Sequence, residues 1–299
     1  MLRLFLESTE GLGNVQYIYG DSVKTLEQTG KDIKIAFTRG SKDTFNLVVA
    51  ADGSTSKTRS LILDDQVLKN SYNFLGQYIA FFSIPSRLTD PKMWQWYSAP
   101  KGLGIMTRPH RDTSTTGAYL CITMPARGHR DPAIEDAMDK GTEDIKRMLH
   151  EYLKNAGWEA KRVLEGMDHA EDFYISRAAQ VKLPKWTNGR ALVLGDAAFA
   201  TDGVGTTLAI KSAYILAGEL SKIQSSSDVP QALERYKEVF RPLYAKMEEL
   251  PPGFPQFAFP QTTLGLRLTN STLWCVSKTK LYKLFQGGSE DKWKLPSYD

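Results

Sequence analysis

Gly189-Arg190-Ala191-Leu192-Val193-Leu194-Gly195-Asp196-Ala197-Ala198, followed by Gly203-Val204-Gly205-Thr206-Thr207-Leu208-Ala209, is the stretch on which the fold turns. The apolar run Ala191 to Leu194 is short and unbroken, the pattern of a buried strand. It delivers the carboxylate of Asp196 at its C-terminal end, and a glycine-bearing loop then opens a helix near Gly205, expected to reach about Ile223. An acidic side chain there accepts hydrogen bonds from sugar-like hydroxyls, and the free N–H groups and positive dipole end of a helix attract an anion. Gly203 and Gly205 let backbone approach a ligand with no Cβ in the way. The pattern therefore suits a polar, anionic cofactor. On the same helix Ala209, Ala213 and Ala217 form a stripe of small residues expected to pack closely against a sheet.

Upstream, Leu47-Val48-Val49-Ala50-Ala51 predicts a second buried strand, ending in Asp52-Gly53-Ser54-Thr55-Ser56-Lys57-Thr58-Arg59. By itself, Asp-Gly after a strand reads as a turn. In this order and separation, however, the two segments resemble the single-component FAD-dependent aromatic hydroxylases typified by para-hydroxybenzoate hydroxylase. The resemblance extends to Asp172-Phe173-Tyr174 and Trp186, to Ala213 through Leu220, and to Arg241-Pro242. It implies FAD as cofactor, NAD(P)H as co-substrate, and hydroxylation or epoxidation of an apolar, aromatic or polyene small molecule of secondary metabolism. The cofactor-binding residues it implies are Asp52, Gly53 and Arg59, with Ser56 nearby, then Gly195, Asp196, Gly203, Gly205, Thr206 and Thr207. No residue stands out as a catalytic acid or base.

The fold implied is α/β. A partial, Rossmann-like FAD-binding domain is expected from residues 1–65 and 160–225, an antiparallel substrate-domain sheet from 66–159, and a C-terminal helical segment from 226–299 packed on the outside. The sequence departs from the family pattern in several places. It has no Gly-x-Gly-x-x-Gly unit, Gly11-Leu12-Gly13 reading as a turn, so the chain is expected to start late and to hold FAD weakly or with a partner's help. Phe199 stands where many members have His or Tyr, and Ala200-Thr201-Asp202 lacks a common Pro. Asp202 would also set a negative charge near a reduced flavin. The rival readings are a flavin-independent cyclase or isomerase that works by orientation alone, and a small-molecule-binding protein.

Elsewhere, Val15–Tyr19 and Ile33–Phe37 predict strands, as do Tyr78–Ile84, Trp94–Tyr97, Gly104–Thr107 and Ala118–Met124. The aromatics Tyr72, Phe74, Tyr78, Phe81, Phe82, Trp94, Trp96 and Tyr97 are candidates to line an apolar pocket, although aromatics in strands are more often core, and Arg108 and His110 read as a solvated loop in preference to groups reaching a substrate oxygen. Helices are expected around Ile145–Leu153, capped by Gly157, and over Pro230–Leu250, bent at Pro242. Leu250–Pro260 is expected to be an extended connection.

The 299 residues carry 38 basic and 34 acidic side chains spread along the chain, a net charge of +4 that gives no reason to expect nucleic acid as a partner. Lys278, Lys280, Lys283, Lys292 and Lys294 read as a solvated tail. Cys121 and Cys275 stand alone, and His110, His129, His150 and His169 lack ligand spacing, so neither a disulfide framework nor a metal site is predicted. With no apolar run of spanning length, a cytoplasmic protein is expected. Oligomeric state is not legible.

Overall fold

The computed structural model describes residues 2–280 and 294–298. Helix α1 (Leu2–Thr9) is followed by an irregular stretch and a three-stranded antiparallel sheet of β1 (Val23–Gln28), β2 (Ile33–Phe37) and β3 (Lys42–Phe45). The strand expected at Val15–Tyr19 does not form. Those residues are exposed and outside any ladder, with Tyr17 and Tyr19 stacked on one another. Strand-forming residues make a strand only where a neighbour offers pairing and a face to bury.

Next come β4 (Val48–Ala50) and the short helices α2 (Thr58–Ile62) and α3 (Asp65–Leu68). Strands β5 (Tyr72–Pro85), β6 (Gln95–Ala99), β7 (Leu103–Pro109) and β8 (Thr115–Thr123) then lead to α4 (Pro132–Lys140), α5 (Thr142–Leu153) and α6 (Ala160–Asp168). The helix expected around Ile145–Leu153 is α5, and a further helix, α4, precedes it, the two parted at Gly141 with φ 119°. Gly157 lies beyond the end of α5 and does not cap it, that place being taken by Lys154. After β9 (Tyr174–Val181), the strands β10 (Thr187–Asn188) and β11 (Ala191–Val193) lead through α7 (Asp196–Phe199) into α8 (Gly205–Leu220), α9 (Val229–Ala245) and α10 (Thr263–Thr279).

The fold class expected, α/β with an antiparallel sheet and C-terminal helices, is the one observed. Strands β6-β7-β8-β5-β9 form one antiparallel sheet in that order. In a separate sheet β11 pairs in parallel with β4, Leu192 opposite Val49, and β10 pairs antiparallel with β11. This parallel pair carries the two Asp-bearing loops out at the same end. Val49 is 38% exposed, so β4 is buried on one face only.

Two principal cores flank the site. The first joins β2, β4 and β11 to α8 and α9, with Trp186 at its centre against Phe199, Phe240 and Tyr244. Helix α9 thus belongs to the core and does not lie outside it, because Leu233, Tyr236, Phe240 and Leu243 fall on one helical face and are all buried. The second core lies between the five-stranded sheet and α4–α6. The alanine stripe of α8 is corrected too: Ala213 and Ala217 face outward, and Leu208, Ser212, Ile215 and Leu216 face inward. A larger apolar side chain gains more from burial than alanine, so the leucine and isoleucine face decided the orientation.

Residues 250–260 are a succession of turns, not an extended link: Phe254 N–H bonds Pro251 O, Phe257 N–H bonds Gly253 O and Phe259 N–H bonds Pro255 O. The turns lay the Phe259 ring over Gly104, where an added Cβ would come within 2.3 Å of it. Of the lysine tail, Lys278 and Lys280 are exposed, whereas Lys283 and Lys292 lie outside the described residues. No described helix is long and apolar enough to cross a membrane.

One charged knot ties the second core together. Glu135 on α4 accepts from Arg177 Nη2 at 2.6 Å, from Tyr78 Oη at 2.6 Å and from Arg130 Nη1 at 3.0 Å. The Arg177 hydrogen bond, aided by Tyr78 and opposed by desolvation, draws the Glu135 carboxyl down to about 2. A carboxylate whose folded pKa lies below its unfolded value of 4.5 contributes stability that is complete above that value and lost as pH falls toward 2. The urea midpoint of the protein should therefore drop over that window, and Glu135→Gln should start lower at neutral pH and show a shallower acid limb.

Candidate active site

The loops after β4 and β11 are tied to each other by Arg59. Its guanidinium, buried in the first turn of α2, donates from Nη1 to Ala197 O at 2.8 Å and from Nη2 to Ser54 O at 3.0 Å. Asp52 serves the same loop, accepting from the Ser56 hydroxyl and from Thr58 N–H at 3.1 Å. Desolvation pushes its pKa up, but those hydrogen bonds outweigh it and leave the group lowered. Gly53 sits at φ 87°, where L side chains are strained. Ser54, not Asp52, is the residue of this motif that faces the cleft.

That cleft has a volume of about 150 Å³ and runs between the two cores. Asp196, at the start of α7, lines it and makes no hydrogen bond among the described residues; desolvation raises its pKa. The Thr201 hydroxyl in the same wall is enclosed and has no partner. The opposite side is Leu75, Ile79 and Phe81 from β5 with Arg177 and Ala178 from β9. Gly195 turns the chain at φ 60°, and a Cβ on Gly205 would lie 3.3 Å from Asp196 Oδ1. Helix α8 begins at Gly205 with Val204 as N-cap and no side-chain cap, so the N–H groups of Gly205, Thr206 and Thr207 are left for solvent or a ligand.

A second cavity, of about 430 Å³, adjoins the first and shares Ile79, Phe81 and Asp202 with it. Its walls are aromatic: Phe81, Trp94, Trp96, Tyr119 and Phe259. Of the aromatics expected to line a pocket, Phe74, Tyr78 and Phe82 belong to the core, while Phe81, Trp94 and Trp96 face this space. Arg108 lies on β7 and not in a loop, and lines the cavity while remaining exposed; His110, also exposed, shares a hydrogen bond with Thr115 Oγ1 through Nδ1 at 3.0 Å. Phe199 packs in the first core at 1% exposure, so the aromatic there is a packing residue. Asp202 bonds its neighbour Gly203 N–H, and desolvation raises its pKa.

Sequence reading missed Leu75, Ile79, Thr201 and Arg177 as cleft residues. The alternation along β5 held a usable signal, since Ile79 and Phe81 share a face opposite Ala80 and Phe82. Among the described residues no group of His, Cys, Asp or Glu is arranged to hold a metal.

A parallel strand pair carrying an open carboxylate, a glycine turn and an uncapped helix, beside an aromatic cavity on an antiparallel sheet, defines a flavoprotein of the hydroxylase type. The family model described as FAD binding domain matches residues 1–250, and the chain belongs to that family. It is 33% identical over 311 residues to Monooxygenase CTB7 of Cercospora beticola, covering 100% of this chain and 72% of that one. It is 30% identical over 306 residues to FAD-dependent monooxygenase asL6 of Sarocladium schorii, covering 97% and 68%. Among solved structures, tetracycline destructase Tet(51) matches with a TM-score of 0.69 at 25% identity, covering 96% of this chain and 72% of the other. Salicylate hydroxylase shares the fold at 18% identity and a TM-score of 0.58. The chain is a flavin-dependent monooxygenase whose cofactor is FAD, with NAD(P)H as the co-substrate typical of the family.

The residues present fit the polar chain of that cofactor. An unpartnered carboxylate and an unpartnered hydroxyl face one cleft, which is what a row of ribityl hydroxyls requires. Because Arg59 positions both loops, Arg59→Met should lower the unfolding free energy by about 3 kcal/mol, the cost of leaving carbonyls without their charged donor. Arg59→Lys, which cannot span both carbonyls, should recover only part of it; urea titration with a tryptophan fluorescence readout measures the difference.

Proposed function

We propose that this chain inserts an oxygen atom into a planar aromatic small molecule seated in the 430 Å³ cavity, its reacting edge turned toward the cofactor ring in the adjoining cleft. The shared wall carries this reading: Ile79, Phe81 and Asp202 border both spaces, so the two occupants would meet there. The volume falls within the usual range for small-molecule sites, and aromatic side chains suit the flat faces of fused rings. The likeness to a tetracycline destructase supports a multi-ring occupant. We take the substrate to be a secondary metabolite, the product hydroxylated or epoxidised, and the setting cytoplasmic, in keeping with the free Cys121 and Cys275.

FAD, when bound, supplies the redox chemistry, taking reducing equivalents from NAD(P)H and activating dioxygen. The chain's own residues bind, orient and exclude water. Asp196 and Thr201 would accept and donate hydrogen bonds along the ribityl chain, and the N–H groups of Gly205, Thr206 and Thr207 would face the flavin ring or phosphate. Gly195 and Gly203 give the turns that bring these groups to the cleft. Asp52, Gly53 and Arg59 hold the facing loop, on the nicotinamide side. Residues 66–159, joined by α6 and β9, would form the substrate domain, and 1–65 with the rest of 160–225 the cofactor domain. A sheet wall and the turns that end at Phe259 would flank the reacting edge.

Purified chain loaded with FAD and desalted should retain visible flavin absorbance, and fused-ring phenols should accelerate its NAD(P)H consumption. Asp196→Ala should weaken flavin retention by about tenfold, the scale of one charge-assisted hydrogen bond. A chain that retains no flavin, or that converts an aromatic substrate without NAD(P)H, would overturn the proposal and favour a cyclase or binding protein.

A further inference from the structure

This inference rests on reading the first turn of α8 as part of the cofactor site, and it concerns the other end of that helix. Residues 296–298 lie against it. The Tyr298 ring covers the backbone at Gly218, where an added Cβ would come within 2.3–2.4 Å of three ring atoms. The Tyr298 hydroxyl donates to Glu219 Oε1 at 2.9 Å, and Tyr214 Oη donates to Pro296 O at 3.2 Å. Lys222 Nζ stands 4.6 Å from the centre of the Tyr298 ring, and the Tyr214 ring meets that ring in a T-shaped contact at 5.5 Å. The Glu219 side chain is 4% exposed and also accepts from Lys222 Nζ at 2.9 Å and from Arg235 Nε at 3.1 Å. Burial pushes its pKa up, yet the bonds from Lys222, Tyr298 and Arg235 prevail and leave it lowered. Lys222 and Arg235 belong to the α8–α9 hairpin itself, whereas Tyr298 is brought to it from the far end of the chain.

Glycine is a poor residue for a helix, and the missing Cβ of Gly218 is what makes room for the ring. Helix α8 is unbroken from Gly205 to Leu220, so its first turn lies about 20 Å from Gly218 on the same rigid rod. The ion pair of Glu219 with Arg235 fixes that rod against α9. We propose that residues 296–298 form a latch: docked on Gly218 and Glu219, they hold α8 where its first-turn N–H groups face the cofactor, so that tail docking and FAD binding strengthen each other. Two binding events coupled through one rigid element must favour each other by the same factor. The tail is thereby a device that ties flavin retention to the state of the C-terminus.

Two measurements on the full chain read this coupling without turnover. FAD is titrated by flavin fluorescence, and the tail is followed by mass spectrometry during digestion with carboxypeptidase Y, which must remove Asp299 before Tyr298. Tyr298→Ala should weaken FAD binding by about fivefold or more, and Tyr298→Phe, which keeps the ring and loses the bond to Glu219, by less. Saturating FAD should slow release of Tyr298 from the unaltered chain by a similar factor, because cleavage requires the undocked tail. Gly218→Ala gives a test of sign. With Tyr298 present it should weaken FAD binding and speed tail release, whereas in the Tyr298→Ala background it should raise the urea midpoint, as alanine for glycine in a helix ordinarily does. Far-UV circular dichroism confirms folding of each variant, and either Tyr298 variant suffices if the other fails to fold. If Tyr298→Ala and Gly218→Ala each change FAD binding by less than about twofold while Asp196→Ala weakens it, the latch is overturned and the cofactor reading stands. If none of the three variants changes it, both fall.

Discussion

The guanidinium of Arg59 holds the candidate site together. Its carbonyl acceptors are Ser54, in the loop after β4, and Ala197, in the short helix α7 after β11, segments far apart in sequence and brought together where those strands pair in parallel. A backbone loop leaving a strand has carbonyls with no ladder partner, and enclosing them without a donor costs about 1–3 kcal/mol each. Arg59 satisfies one from each segment with a single rigid fork. That fork ties Ser54, which lines the cleft, to α7, the helix that carries Asp196.

On this clamp depends the seam between the two cores. Strand β5 is the shared partition: Ala80 and Phe82 point into the second core, and Ile79 and Phe81 point into the cleft and the aromatic cavity. Period-two alternation thus makes one strand serve packing on one face and ligand on the other. The knot of Glu135 with Arg177, Tyr78 and Arg130 anchors β9 and β5 to α4 from the core side, so the wall of the cleft is braced by charge as well as by apolar contact. Polar groups collect on the open side of this wall: the Asp196, Asp202 and Arg108 side chains are exposed, and the Thr201 hydroxyl is enclosed without a partner. A buried hydroxyl left unsatisfied in an otherwise well-bonded chain is the physical trace of a missing ligand.

The motif-bearing strands and helices were legible because they are local. Ile33–Phe37 alternates as a half-buried strand must, Ala191–Leu194 is too short and too apolar to be anything but a buried one, and Gly205 opens α8 where its glycine loop ends. Misreadings came where locality fails. Val15–Tyr19 has strand composition and no neighbour to pair with, and the Pro-rich segment 250–260 curls through turns whose Phe259 packs onto β7, a contact between distant parts of the chain. Helix α9 reads in sequence as an outer layer because its polar face is as evident as its apolar one, and the position of Trp186 is what shows that the apolar face closes the first core.

From the sequence alone came the pair of Asp-bearing strand ends, the helix that opens after the second and the family they resemble, because glycines, short apolar runs and helix starts act over a few residues. The tertiary structure alone decided which of those residues face the cleft. It turned Asp52 and Arg59 into the frame and Ser54 and Asp196 into the lining, sent the alanines of α8 outward, and set Arg108 opposite a wall of tryptophans. Those outcomes depend on which surfaces meet, and the meeting is governed by the total area buried and the donors satisfied across the whole chain, quantities that no short stretch of sequence contains.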